Sequence, residues 1–387
     1  MSRCVRSRFG VVVVLLLLAT LAGVLLGGCG QREGAPKQAL TIGAAIPLSG
    51  KSATIGELHK RGIEIAVEQL NAEGGVNGQP VKIVYEDTKN DAKTGISAYR
   101  KLVDVNRVPA VIATFSGVCV PIAAAIESGG DRDGVVFFAT ATSAPAITEK
   151  SKWVFRAFLT SDVESPVLAK FAAEKLKARR AASYYVNDDY GKGAADEFKR
   201  AFEGQYGGSV VFSEAYDITA LDHRSAVLKI RAARPDVIFC MGYGQGFPNA
   251  LKQIREAGIT APIVSTATLA LPDSLSLAGD AAEGAYLTAS LYDENAMDPA
   301  TAEFVRRYVA EFGKPTNYQS AATYLCTMMI AEAAKKKGVS AQEIHDGLMA
   351  VRDFPSPLGN ITIDANREGQ FPVEMKRIHD GRVTDLP

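Results

Sequence analysis

Hydroxyl, phenol and glycine residues gather in this chain where apolar runs end. The run 110–114 is followed by Phe115-Ser116-Gly117, and the run 135–138 by Thr140-Ala141-Thr142-Ser143-Ala144-Pro145. Hydroxyls beside free backbone N–H groups at neighbouring strand ends, one of them leading into a helix, suit a carboxylate or another polar oxygen. Tyr190, in Asn187-Asp-Asp-Tyr-Gly191, and Tyr243, in Gly242-Tyr-Gly-Gln-Gly246, follow two later runs, each beside glycine. Taken singly, Ser116 and Ser143 read as turn or cap residues and the tyrosines as packing. Four such residues at equivalent strand ends point to a binding site.

Covalent chemistry finds little support. The four histidines (His59, His223, His345, His379) form no i, i+4 pair and no His-Glu-x-x-His pattern. There is no Gly-x-Ser-x-Gly elbow and no phosphate-binding loop. The glycines at 242–246 lack the dinucleotide spacing, and no acid ends a following strand where a ribose would need it; they let the backbone approach something closely. Asp188-Asp189 reads as a loop or helix cap. The sequence therefore assigns no catalytic residue, no metal ligand and no cofactor, and the chain is not expected to be an enzyme.

The elements that must hold these residues alternate between strand and helix. A strand at 40–47 precedes a helix with Ile63, Val67 and Leu70 on one face, stopped by Gly74-Gly75. Strands at 81–86, 110–114 and 135–138 follow, with helices between; the last of these helices begins near Val120-Pro121, where proline fits a first turn. The rhythm restarts after residue 160: helices at 164–176, 193–206, 224–232 and 248–257 separate strands at 181–186, 209–216, 237–241 and 262–264. Such alternation gives parallel sheets covered on both faces. The length exceeds the ~250–300 residues at which single cores stop growing, so two doubly wound domains are expected. Helices at 301–312, 319–337 and 341–350 return to the first, and strand-like 360–364 and 373–379 close the second.

The N-terminus reads as an export signal. Arg3, Arg6 and Arg8 precede an apolar run at 11–26, short for a membrane span. Residues 1–28 read as a signal peptide and 29–37 as a tether. Cleavage removes three of the 43 basic residues and none of the 43 acidic ones, leaving a net charge of about −3. No basic stripe suggests nucleic acid. Of five cysteines, Cys119, Cys240 and Cys326 remain beyond the tether; they match no metal spacing and read as small buried apolar residues.

Several stretches carry a family resemblance. Leu26-Gly-Gly-Cys29 resembles the lipobox of bacterial lipoproteins, in which the cysteine is acylated. Ile42-Gly-Ala-Ala-Ile-Pro-Leu-Ser-Gly50, Ala66-Val-Glu-Gln-Leu-Asn-Ala-Glu-Gly-Gly-Val-Asn-Gly78, Val84-Tyr-Glu-Asp-Thr88, Asn187-Asp-Asp-Tyr-Gly191, Leu251-Lys-Gln-Ile-Arg-Glu-Ala-Gly258 and Gly359-Asn-Ile-Thr-Ile-Asp-Ala-Asn366 resemble the leucine/isoleucine/valine-type periplasmic binding proteins. The resemblance implies a type I binding-protein fold: two doubly wound α/β lobes, joined by three crossing strands near Phe158, Leu287 and Phe354. Lobe I would then hold residues 38–158 and 288–353, and lobe II residues 159–287 and 354–387. It implies a solute-binding component of an ABC uptake system, exported and lipid-anchored at Cys29 to a membrane, acting as a monomer with a permease partner. A ligand-sensing receptor of the same fold is the alternative.

By the same resemblance, Ser116 falls on the serine that holds a ligand carboxylate, and Ala141 and Ser143 on its backbone-and-hydroxyl partner. Tyr190 and Tyr243 fall on second-lobe aromatics, and Phe115 and Tyr243 offer apolar surface. Two positions depart: Ile55 replaces a first-lobe aromatic, and Ala267 replaces the acid that pairs a ligand's ammonium group. A buried ammonium without a counter-charge is costly. The sequence therefore favours a small carboxylated or amide solute lacking that group over an α-amino acid, unless Asp188 or Asp189 supplies the charge.

Overall fold

A computed structural model of the protein describes residues 38–130, 134–144, 147–289, 292–371 and 373–386. The expected signal peptide (1–28), Cys29 and the expected tether (29–37) lie outside them, as does Pro145. Among the described residues no helix is long and apolar enough to cross a membrane.

The first lobe is built on strands β1 (Thr41–Ile46), β2 (Lys82–Asp87), β3 (Ala110–Thr114), β4 (Val136–Thr140) and β5 (Val154–Arg156), with helices α1 (Ala53–Ala72), α2 (Ala92–Arg100) and α3 (Ser116–Ser128) between them. The strands run parallel in the order β2-β1-β3-β4-β5. Successive residues on a strand face opposite ways, and both faces are covered. Ile42, Ile112 and Phe138 join one core, while Ala45, Val111 and Phe137 join another with Tyr99 and Ile122.

The second lobe holds α4 (Ser161–Glu174), β6 (Arg180–Val186), α5 (Asp189–Gly204), β7 (Ser209–Tyr216), α6 (Arg224–Ala233), β8 (Val237–Met241), α7 (Gly246–Glu256), β9 (Ile263–Ser265), α8 (Pro272–Ala278) and β10 (Tyr286–Ala289). The chain then returns through α9 (Pro299–Phe312), α10 (Tyr318–Lys337) and α11 (Ala341–Met349), and closes with β11 (Glu374–His379) and β12 (Arg382–Asp385). The second sheet runs β12-β11-β10-β9-β8-β6-β7, with β11 and β12 antiparallel to their neighbours. Phe198 of α5 stacks on Phe239 of β8 at 4.5 Å between ring centres.

The returning helices pack on the first sheet. Phe304, Tyr308, Leu325, Met329 and Leu348 share the core of Ile42 and Phe138. At the crossing of α1 and α10, a Cβ on Gly62 would lie 2.0 Å from the Ser320 carbonyl, so only glycine fits there. Cys119, Cys240 and Cys326 are buried free thiols.

Two local expectations change. α3 begins at Ser116, not near Val120, because the Phe115 carbonyl already accepts from the N–H groups of Val118 and Cys119 at 3.0 and 2.8 Å. Pro121 therefore sits inside the helix, at the cost of one backbone bond, and Ser116 opens it. The chain also stays with the first lobe beyond Phe354: Leu358, Ile361 and Ile363 are buried in the first core, and residues 360–364 form only isolated bridges. It reaches the second sheet at Glu374.

What holds this late segment is a buried ion pair. Arg156 donates through Nε and Nη2 to the two carboxylate oxygens of Glu368, each at 2.7 Å, and backbone bonds run from Arg156 N to Arg367 O and from Gly369 N to Arg156 O. Arg156 is 2 % exposed. Removing one partner of a buried pair strands the other charge, at about 3–5 kcal/mol. Glu368→Ala is accordingly expected to lower the unfolding free energy by about that amount, read as a shift of the urea unfolding midpoint by far-UV circular dichroism.

Candidate functional site

A cavity lies between the lobes. All eight residues singled out from the sequence line it: Ile55, Phe115, Ser116, Ala141 and Ser143 from the first lobe, and Tyr190, Tyr243 and Ala267 from the second.

The first wall is formed where β3 and β4 end side by side. Phe115 and Ala141 both adopt left-handed backbone conformations (φ 72° and 48°), and the Phe115 N–H donates to the Ala141 carbonyl at 3.1 Å. Such conformations cost of order 1–3 kcal/mol for residues other than glycine and concentrate at functional sites. Their effect here is to place Ser116 at the N-terminus of α3, where backbone N–H groups lack helical acceptors and the helix dipole is positive. The Ser116 hydroxyl oxygen accepts from the Ala144 N–H at 3.2 Å, which leaves its own proton free to donate. The Ser143 hydroxyl instead donates to the Leu159 carbonyl at 2.7 Å, so it fastens the chain where it passes between the lobes. Arg156 Nη1 donates to the Ala144 carbonyl, tying this loop to the buried ion pair.

Phe115 is held from behind by His59, ring against edge at 5.5 Å. Burial pushes His59 down to about 4, against the opposing hydrogen bond between its Nε2 and Gln319 Oε1 at 2.9 Å. His59 is thus neutral, and Gln319, which lines the cavity, passes the chain on to the Tyr318 hydroxyl at 3.0 Å.

The second wall is phenolic. Tyr190, in the first turn of α5, bonds Thr266 Oγ1 at 2.6 Å, and Thr266 bonds Thr268 at 2.9 Å. Tyr243 follows β8 between Gly242 (φ 157°) and Gly244 (φ 69°). A Cβ on Gly242 would lie 2.1 Å from the Tyr216 hydroxyl, so the close approach that the glycines permit is to the protein's own side chain. Tyr243 stacks beside Tyr190 at 6.2 Å and meets Phe115 across the cleft at 5.2 Å. Its hydroxyl donates to Asp188 and accepts from Asn90 of the first lobe at 3.4 Å. Lys51 and Asp217 form a second cross-lobe contact at 3.6 Å.

Asp188 caps α5 by accepting from the Gly191 N–H at 2.8 Å. Burial pushes its carboxyl up, against that bond and the one from Tyr243. Each of its carboxylate oxygens accepts a hydrogen bond, and neither Asp188 nor Asp189 lines the cavity. Sequence reasoning missed Glu164. Its carboxyl comes from the first turn of α4, lines the cavity and is 3 % exposed. Ser161-Asp-Val-Glu164 has the spacing of a capping box, and nothing in the local pattern tells an outward cap from an inward acid. In the structure Thr160 is the N-cap and makes no side-chain cap bond. Glu164 Oε1 accepts from Thr288 Oγ1 at 2.6 Å, and the Ala267 N–H also donates to the carboxyl. Burial pushes this carboxyl up to about 7, against those two bonds. The cavity therefore holds an acid, though not at Ala267.

A family model described as periplasmic binding protein matches residues 39–380. A Leu/Ile/Val-binding protein homolog of Brucella abortus is 29% identical over 350 residues, 89% of this chain and 92% of its own length. Among solved structures, a leucine-binding protein of Thermotoga maritima superposes with a TM-score of 0.82 at 24% identity, covering 90% of this chain and 98% of its own. A solute-binding protein of Rhodopseudomonas palustris HaA2, in complex with p-hydroxybenzoic acid, gives 0.78 at 22%, covering 90% and 95%. These two likenesses establish the two-lobed type I fold.

One consequence of the site's wiring is measurable without a solute. An unfolded chain takes up a proton at His59 as pH falls through about 6.5, whereas the native state resists until about 4. Stability from this residue is present above pH 6.5 and lost as pH falls through that window, by up to about 3 kcal/mol. His59→Gln should flatten that part of the acid limb when urea midpoints are compared between about pH 7 and pH 4.5.

Proposed function

We propose that this chain, which belongs to the periplasmic binding protein family, is the exported solute-binding component of an ABC uptake system and closes its lobes over a small carboxylated or amide solute. The family is one of capture, without turnover. The observation that carries the ligand chemistry is the pairing of unlike walls around one cavity: a free hydroxyl proton at the positive end of α3 on one side, and a stacked pair of phenols on the other. A carboxylate oxygen suits the first wall, because that wall offers the Ser116 hydroxyl at the N-terminus of a helix, where negative charge is favoured. The Brucella and Thermotoga relatives carry Leu/Ile/Val-binding and leucine-binding names, and p-hydroxybenzoic acid is likewise a carboxylate; all agree with this reading.

Binding needs no covalent step. Ile55, Phe115, Tyr190 and Tyr243 supply apolar surface, and closure removes the solute's polar end from water, where charge-assisted hydrogen bonds are strongest. The contacts of Tyr243 with Phe115 and Asn90 stabilise the closed arrangement. The solute then passes to a membrane permease. Acylation at Cys29 would hold a monomeric protein at the membrane through the tether of residues 29–37.

Ser116→Ala removes a hydrogen bond to a charged group, a loss of about 1.5–3 kcal/mol, so affinity for a solute found by thermal-shift screening of amino acids, aliphatic acids, aromatic acids and amides should fall roughly ten- to a hundredfold. Tyr190→Ala should weaken binding from the opposite wall. Unchanged calorimetric Kd values in both variants would show that the solute binds elsewhere. For the anchor, mass spectrometry of the mature protein should find diacylglyceryl on Cys29, lost in Cys29→Ala; an unmodified chain cut at another residue would refute the tether.

A further inference from the structure

Glu164 is the one carboxylate among the described residues lining the cavity, and no lysine, arginine or histidine lines it with it. Its observed partners, the Thr288 hydroxyl and the Ala267 N–H, are neutral donors. No ion pair of Glu164 occurs among the described residues. Two donors satisfy part of a carboxylate, which offers about four lone-pair sites. The side chain does not cap α4; it reaches Thr288 of β10 and the Ala267 N–H, neither of which balances its charge. Ala267, whose N–H bonds the carboxyl, lines the same cavity and brings no charge of its own.

The groups that face Glu164 add no positive charge. Tyr190 of α5 and Tyr318 of α10 are the titratable ones, and burial pushes both phenols up, so they stay neutral. Thr288 comes from β10 and Ala267 from the turn after β9. A buried carboxylate left without a cation is costly. With only neutral donors beside it, the carboxyl holds its proton to about neutral pH, because burial pushes it up to about 7.

We propose that Glu164 is the counter-ion for a cationic group, an ammonium, on the captured solute, placed in the cleft from α4 in the absence of an acid at Ala267. The inference rests on the function proposed above. The solute is then a zwitterion, its carboxylate at Ser116 and its ammonium at Glu164. Below the native transition of Glu164, binding displaces a proton: the protonated carboxyl and the incoming R–NH₃⁺ give a carboxylate–ammonium pair and one H⁺ released to solvent. Above it the carboxylate is already ionised and no proton is released.

Calorimetry on the full mature protein tests this with four probes: L-leucine, L-phenylalanine and their deaminated analogues 4-methylpentanoate and 3-phenylpropionate. Titrations at about pH 6 and about pH 8.5, each in two buffers of different ionisation enthalpy, give the proton count. At least one amino acid should bind about tenfold or more tightly than its deaminated analogue. It should release close to one proton near pH 6 and almost none near pH 8.5. Glu164→Gln, which keeps the size and the Thr288 contact, should abolish the release and the preference while leaving the unfolding midpoint near or above that of the native chain. Preference for the deaminated acids, with sensitivity to Ser116→Ala, overturns the role of Glu164 and leaves the carboxylate-binding function standing. A Glu164→Gln variant that keeps both the preference and the proton count also overturns it. Failure of all four probes to bind would count against the proposed solute class itself, and the role of Glu164 would fall with it.

Discussion

Arg156 sits at the end of β5 with its guanidinium gripped two-pronged by Glu368 and its remaining nitrogen turned to the Ala144 carbonyl. That one side chain connects three parts of the chain that are far apart in sequence. Glu368 belongs to the segment that runs along the first lobe before crossing to β11. Ala144 belongs to the loop after β4, and its N–H donates to Ser116 at the mouth of α3. Arg156 itself directly precedes the first passage between the lobes. A planar fork of donors can satisfy a carboxylate and a carbonyl together, which a lysine could not do in the same geometry. The position of Ser116 is thus set by a hydrogen-bonded route that begins at a buried ion pair.

The cavity that results is nearly free of charge. Its first wall offers donors from a helix end, reached through two left-handed residues, Phe115 and Ala141, whose strain the surrounding bonds must hold. Its second wall offers phenols locked to threonines and to Asp188. Neutral groups that are already hydrogen-bonded lose little when water leaves, so the cleft is prepared for closure. Glu164 is the exception, and its carboxyl is held by hydroxyl and amide donors instead of a cation.

Much of this was legible in the sequence, for physical reasons. Alternating apolar runs and helical patterns disclose doubly wound lobes because burial on both faces leaves no other way to write a parallel strand. The polar residues after those runs, Ser116, Ser143, Tyr190 and Tyr243, stand out because a strand end is where the chain leaves the core. The limits are equally specific. Pro121 suggested a helix start that the Phe115 carbonyl had already made, since a helix can lose one bond and continue. Ile361 and Ile363 have the alternation of a sheet strand, yet they bury in the first core because Glu368 pairs with Arg156, a contact more than two hundred residues apart in the chain. Ser143 was legible as polar, but its donation to Leu159 depends on where the passage between lobes runs. Glu164 was hidden because an acid in a helix's first turn is ordinary, and only the tertiary arrangement turns it inward.

The central claim is that one interlobe cavity, bounded by Ser116 on one side and Tyr190 and Tyr243 on the other, is where the solute is held. A crystal structure grown with the tightest-binding solute from a thermal-shift screen tests this most directly. The account predicts solute density enclosed between the lobes, with an oxygen within hydrogen-bonding distance of Ser116 Oγ and the body of the molecule against the two phenols. An empty interlobe cavity, with the solute bound at another surface of either lobe, would contradict it.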